Sequence, residues 1–216
     1  GFCTMKYTAL IVTFNRLGKL KKTVEETLKL EFTNIVIVNN GSTDGTQAWL
    51  SSIVDTRVIV LTLTENTGGA GGFKTGSQYI CEQLASDWVF FYDDDAYPYP
   101  DTLKSFSQLE KRGCRVFSGL VKDPQGKPCP MNMPFSRVPT SLGDTVRYLR
   151  YPGEFIPAAN RSMFVQTVSF VGMVINRDLL ATSLDHIHEQ FFIYFDDLYF
   201  GYQLSLACLL YTSDAA

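Results

Sequence analysis

The chain has 216 residues, 45% hydrophobic and 13% aromatic, enough to bury a substantial core in one globular domain with little room for a second. Its 19 basic and 22 acidic residues leave a net charge of −3, which gives no electrostatic footprint for nucleic acid. Five scattered cysteines without a CxxC pair argue against a disulfide framework or a zinc site and favour a reducing, cytoplasmic setting.

The amino end carries only a short apolar stretch, too short for a signal peptide or a membrane span, and association with a membrane surface stays open. Thr8–Phe14 is the first of four apolar runs; Ile35–Val38, Val58–Leu61 and Trp88–Tyr92 follow. None alternates polar with apolar residues, and three are rich in β-branched side chains. Strands buried on both faces of a parallel sheet have that pattern. Between them, Leu17, Leu20, Val24 and Leu28 form one apolar stripe among lysines and glutamates. Ser42 to Ile53 begins with capping residues, and Ala70 to Leu84 is a third helical segment. Strand and helix in alternation predict right-handed βαβ units and an α/β, Rossmann-like, mostly parallel sheet flanked by helices.

Each strand ends in a polar loop, and open α/β sheets bind ligands at that edge. Phe14–Arg16 follows the first strand and Asn39–Thr46 the second. After the third comes ENTGGAGGFKTG, Glu65 to Gly76. It fails as a Walker-A loop because Phe73 precedes Lys74, and as a dinucleotide fingerprint because Lys74 takes the place of the third glycine. Its glycines still allow close backbone approach to a ligand, or simply a tight strand–helix turn. The fourth strand ends in Asp93, Asp94 and Asp95. Alternation puts Asp93 and Asp95 on one face and turns Asp94 away. Two carboxylates on one face suit Mg²⁺ or Mn²⁺.

Seven of the nine prolines lie between Asp123 and Asn160, predicting a long irregular excursion, either functional or a solvated connector. Phe164–Ile175 and Phe191–Phe195 read as further strands, the second ending in Asp196 and Asp197 ahead of a helix from Leu198 to Leu209. Asp196 suits a helix cap; Asp197 suits either a cap or a general base desolvated by the apolar strand. His186 and His188 alternate on an extended segment, a pattern too sparse to specify a metal.

Five motifs in this order, IVTFNR (Ile11–Arg16), VNNGSTDG (Val38–Gly45), ENTGGAGG (Glu65–Gly72), DDDA (Asp93–Ala96) and FIYFDD (Phe192–Asp197), resemble family 2 inverting glycosyltransferases of the GT-A fold. The start and the acidic motif look most like galactofuranosyltransferases, with rhamnosyltransferases close behind. The resemblance spans Tyr7 to Leu206. It implies a nucleotide-sugar-binding half (7–121) and an acceptor-binding, catalytic half (122–208) of one domain, with 209–216 set apart as a truncated or non-native tail. It further implies that Thr13, Phe14, Asn15, Arg16, Asn40, Asn66, Gly68, Gly69, Asp93 and Asp94 hold a UDP- or TDP-linked donor. Asp93 and Asp95 would take Mn²⁺ or Mg²⁺, and Asp197, beside Asp196, would deprotonate a saccharide or lipid-linked saccharide acceptor. Work at the inner face of a membrane is compatible with that role. Asn39 and Asn40 stand where many members carry an acid, and Gln203 where relatives often have Arg. The alternatives are a nucleotidyltransferase and a nucleotide-sugar-binding remnant without turnover.

Overall fold

A computed structural model describes residues 4–119, 125, 141–156, 163–164, 171–187 and 209–212, with backbone alone at 163–164, 186 and 209–212. The elements in chain order are β1 (Tyr7–Thr13), α1 (Leu17–Leu28), β2 (Asn34–Asn39), α2 (Thr46–Ser51), β3 (Val58–Thr62), α3 (Gly68–Gln83), β4 (Trp88–Asp93), α4 (Thr102–Gln108) and β5 (Val116–Gly119). α5 (Leu142–Arg150), β6 (Met163–Phe164), β7 (Met173–Asn176), α6 (Arg177–Ser183) and β8 (Leu209–Thr212) follow. The strands form one sheet in the order β3-β2-β1-β4-β7-β5-β8-β6.

The half that matters for a ligand is β3-β2-β1-β4, all parallel. The chain winds outward from β1 through β2 to β3, then returns by α3 to place β4 on the other side of β1. That reversal is a topological switch point, and it opens a crevice between the carboxyl ends of β1 and β4. The register there pairs Val12 with Asp93, so the acids emerge directly beside Thr13.

Alternate residues of the central strands feed two cores, as continuous apolar strands require. Leu10, Val12, Val38 and Phe91 pack with Ala70, Phe73 and Ile80 of α3 and with Leu179 and Leu180 of α6. Ile11, Ile37 and Phe90 face Leu20 and Val24 of α1, Leu50 of α2 and Phe106 of α4. Each such Val, Leu, Ile or Phe side chain contributes about 1.5–3 kcal/mol when fully buried. Phe106 is the hub of an edge-to-face aromatic cluster, with ring centroids 5.1 Å from Trp88, 5.3 Å from Phe90 and 5.4 Å from Phe117.

Several sequence expectations are corrected. β1 stops at Thr13, leaving Phe14 outside it, because the chain turns through Asn15 at φ 51°. α2 starts at Thr46, not Ser42, because Gly45 at φ 88° breaks the helical path. The single strand expected over Phe164–Ile175 is two separate strands: β6 pairs with β8, and β7 lies antiparallel between β4 and β5. The irregular excursion contains a nine-residue helix, α5. β8, Leu209–Thr212, pairs in parallel with β5. Cys81 is free and buried, but Cys114 is disulfide-bonded, since a disulfide follows from proximity in space that sequence spacing does not reveal.

Candidate active site

The first strand's loop is shaped by its neighbour across the sheet. Asn15 Oδ1 accepts from Thr43 N at 2.7 Å, and Asn15 N donates to Ser42 Oγ at 3.0 Å. Asp44 accepts from Leu17 N at 3.1 Å and from Thr46 N at 3.2 Å, so one carboxylate caps the first turns of both α1 and α2. Its bond from the Thr46 hydroxyl, then these backbone bonds, hold its pKa below the usual carboxylate value.

Asn40 is buried and its side chain is fully used. Its Nδ2 donates to Gly68 O at 2.8 Å and Asn66 Oδ1 at 3.1 Å, and its Oδ1 accepts from Thr67 N and Thr67 Oγ1, both at 3.0 Å. Asn40 therefore latches the end of β2 to the glycine loop opening α3. Asn66 Oδ1 also accepts from Gly68 N at 2.9 Å. Asn39 Oδ1 accepts from Ser42 N at 3.1 Å, and its Nδ2 donates to Gln47. Gly41, at φ 76°, presses against the backbone of Glu65 and Asn66: a Cβ there would lie 2.7 Å from the Glu65 carbonyl carbon. Gly69, by contrast, faces open space.

The three acids collect at the switch point. Carboxylate oxygens of Asp93, Asp94 and Asp95 lie within 4.8 Å of one another. Asp94 is the inward one, at 1% exposure. Its Oδ2 accepts from Thr13 Oγ1 at 2.9 Å, its Oδ1 from Arg16 Nη1 at 3.3 Å, and its backbone carbonyl from Thr23 Oγ1 at 2.7 Å. Asp93 Oδ1 accepts from Asp94 N at 2.9 Å. Asp95 is the outer acid: its Oδ2 accepts from both Arg16 Nη1 at 3.2 Å and Lys19 Nζ at 3.0 Å. Arg16 and Lys19, three residues apart, share one face of the first helical turn.

Burial sets the titration. It pushes Asp94 up to about 6, aided by the charge of Asp93 and opposed by the Thr13 hydrogen bond and Arg16. Burial likewise raises Asp93. Arg16 is held above its ordinary value chiefly by the charge of Asp94. All donors in the cluster are carboxylate oxygens, hard ligands of the kind Mg²⁺ and Mn²⁺ take, so these residues fit a divalent cation.

Of the residues singled out in sequence, Thr13, Arg16, Asp93, Asp94 and Asp95 thus meet at one crevice. Phe14 stands at its lip, 40% exposed. Asn15, Asn40, Asn66 and Gly68 build the loops around it. Asp196, Asp197 and His188 lie outside the described residues, as does the side chain of His186. Lys19 and Thr23 escaped sequence reading. Thr23 occupies the buried face of α1, where a polar residue every fourth position was the available signal.

With this geometry in place, the chain can be set beside known proteins. The family model "Glycosyl transferase family 2" matches residues 8–164. The chain belongs to that family. The family match does not favour the nucleotidyltransferase or remnant alternatives. No curated protein matches the chain. Among solved structures, residues 1–349 of S. aureus TarS align with a TM-score of 0.68 at 20% identity, over 98% of this chain and 59% of that one. GalNAc-T7 with UDP, GalNAc and Mn²⁺ aligns with a TM-score of 0.64 at 14% identity, over 97% of this chain and 42% of that one. At such identities the likeness is of fold, which is that of GT-A glycosyltransferases. The chain spans about three fifths of the TarS fragment's length. Among the described residues, no helix is long and apolar enough to cross a membrane.

Proposed function

We propose that this family 2 glycosyltransferase is a metal-dependent, inverting enzyme. Its donor would be a nucleoside-diphosphate sugar, UDP-galactofuranose ahead of TDP-rhamnose or a UDP-hexose. Its acceptor would be a saccharide or lipid-linked saccharide in surface polysaccharide synthesis. The observation that carries the reading is the convergence of three carboxylates with Arg16 at the switch-point crevice. Asp95, with Asp93, would hold Mn²⁺ or Mg²⁺, which when bound supplies Lewis-acid neutralisation of the departing diphosphate. By analogy of fold alone, UDP and Mn²⁺ in GalNAc-T7 support the same pairing of ligands here.

The chain's own residues have distinct tasks. Thr13 and Arg16 orient Asp94, and the Arg16 side chain, 49% exposed, keeps donors available for phosphate oxygens. Phe14 offers its ring to a nucleobase. The open space at Gly69 admits a ligand close to the backbone at the start of α3, where the helix dipole favours phosphate. Asn40, with both side-chain atoms engaged, supports that loop. Asp197 takes the proton of the acceptor hydroxyl as the oxygen attacks the anomeric carbon. The new C–O bond forms on the face opposite the breaking bond to the diphosphate, which inverts the configuration without a covalent enzyme intermediate. For membrane proximity, α5 supplies support: Leu142, Val146 and Leu149 form a stripe that faces away from the protein.

Calorimetry with UDP and TDP, in Mn²⁺ and in chelator, tests the core of the reading. Binding is expected only or mainly with metal, and Asp95→Ala should abolish that dependence. Equal binding in chelator would sink the metal–diphosphate assignment. Asp197→Asn should keep nucleotide affinity and lose transfer in a screen of the three donor types; undiminished transfer reassigns the base.

A further inference from the structure

Asp95 carries a feature the proposed mechanism does not use. A single carboxylate oxygen, Oδ2, receives both Arg16 Nη1 at 3.2 Å and Lys19 Nζ at 3.0 Å. Arg16 also bonds Asp94, which keeps it anchored in the crevice. Lys19 has no such second anchor among its bonds in the cluster, and its side chain is 60% exposed. A flexible ammonium on one exposed oxygen is a counter-ion that exchanges readily.

Asp95 is also the most exposed acid of the cluster, so a divalent cation drawn to its carboxylate competes with Lys19. Charge counting gives the consequence. Three carboxylates facing two cations leave the cluster one negative charge in excess, which does not welcome a diphosphate. A divalent cation reverses the excess to one positive charge and releases the ammonium of Lys19 beside it. The released ammonium, one turn into α1 and next to the crevice, is then free to meet phosphate oxygens as a point charge.

We propose that Lys19 is a positioning residue that couples metal to donor: it neutralises Asp95 before a divalent cation enters and transfers to the donor's diphosphate once the cation takes that carboxylate. This rests on the reading that metal and nucleotide diphosphate meet at Asp95. By reciprocity of linkage, each ligand then strengthens the other, because the metal frees the cation that the diphosphate needs.

Calorimetric titrations of Mn²⁺ alone, and of UDP in saturating Mn²⁺, on wild type, Lys19→Gln and Lys19→Arg test this. Lys19→Gln should bind Mn²⁺ alone about two- to fivefold more tightly, the range an exposed ion pair commands, and UDP with Mn²⁺ more weakly by a similar factor. Lys19→Arg should stay close to wild type in both titrations. Unchanged or weaker Mn²⁺ binding in Lys19→Gln, or unchanged UDP binding, overturns the role of Lys19 while leaving the metal–nucleotide site standing. Lys19→Arg behaving like Lys19→Gln would also overturn it, since charge would not be the cause. A wild type that takes up neither Mn²⁺ nor UDP defeats both this coupling and the function on which it rests.

Discussion

At the scale of single residues, Asp94 shows how the site trades stability for charge. Its carboxylate is buried, and its pKa rises to about 6 from the usual carboxylate range. Between about pH 4 and 6 the folded chain therefore binds more protons at this position than the unfolded chain. Stability contributed by the protonated form is present at the low end of that window and is lost as pH rises through 6. Replacing the ionised group by a neutral one of the same shape should remove the penalty. In chelator, Asp94→Asn is expected to be more stable than wild type at pH 8 by roughly 1–2 kcal/mol, part of the penalty of ionising a buried carboxyl being offset by the weakened bond to Arg16. At pH 4 the two should melt alike. Thermal melts across that range check it, and a gain that persists at pH 4 would point to packing rather than ionisation. The acids were legible in sequence because tripled carboxylates after a buried strand demand a counter-charge, and Arg16 because its loop ends the first strand at the same edge of the sheet. Lys19 was not, because a lysine in a KLKK run reads as solvated helix surface until the turn after β1 aims it at Asp95.

At the scale of elements, the glycine cluster does two jobs that its sequence cannot separate. Gly68, at φ 77°, and Gly69 serve the turn into α3, while Gly72 and Gly76, one turn apart on that helix, serve packing. A Cβ at Gly72 would stand 2.5 Å from Val12 Cγ1, and one at Gly76 would collide with Leu10 Cδ1 and approach Val38 Cγ2 to 3.0 Å. These two glycines let α3 lie close over β1 and β2, which fixes where its N-terminus meets the crevice. Gly76→Ala should cost about 1–3 kcal/mol as an overpacked core, whereas Gly69→Ala should be close to neutral for stability. Denaturant melts of the pair check the division; equal effects would contradict it. The other element hidden from sequence is α5. Its apolar residues recur at helical spacing, but Asp144 and Tyr148 turn toward the protein and Leu142, Val146 and Leu149 turn out. Proline-rich flanks masked that periodicity. If the stripe rests on a bilayer, Val146→Asp with Leu149→Asp should abolish co-sedimentation with lipid vesicles and leave the melting temperature unchanged. Unaltered co-sedimentation would remove α5 from that role.

At the scale of the whole molecule, the legible half and the hidden half differ in how locally they are determined. β1 to β4 with their helices follow from contiguous apolar runs and helical stripes, and β1–β2 and β2–β3 join sequence neighbours across one crossover, with β1–β4 the one distant pair among them. The other half of the sheet depends on pairings over long separations, β4 with β7 and β5 with β8, that no local pattern encodes. β5 is only four residues long and β7 likewise, too short to announce a period. The crevice belongs to the legible half, and this has a thermodynamic consequence. A ligand gripping the ends of β1 and β4 together with the loops of β2 and β3 ties four strands at once, so it binds the folded chain and not the unfolded one. UDP with Mn²⁺ at a hundredfold excess over its dissociation constant should then add about 2.7 kcal/mol of stability, a rise in melting temperature of roughly 5–10 °C for a chain of this size. Chelator should cancel the shift, and Asp95→Ala should show none. A shift of equal size with UDP in chelator would mean that the nucleotide binds without the acids. A shift with Mn²⁺ alone that UDP does not enlarge would mean that the cation is structural, and the diphosphate would have to be sought elsewhere.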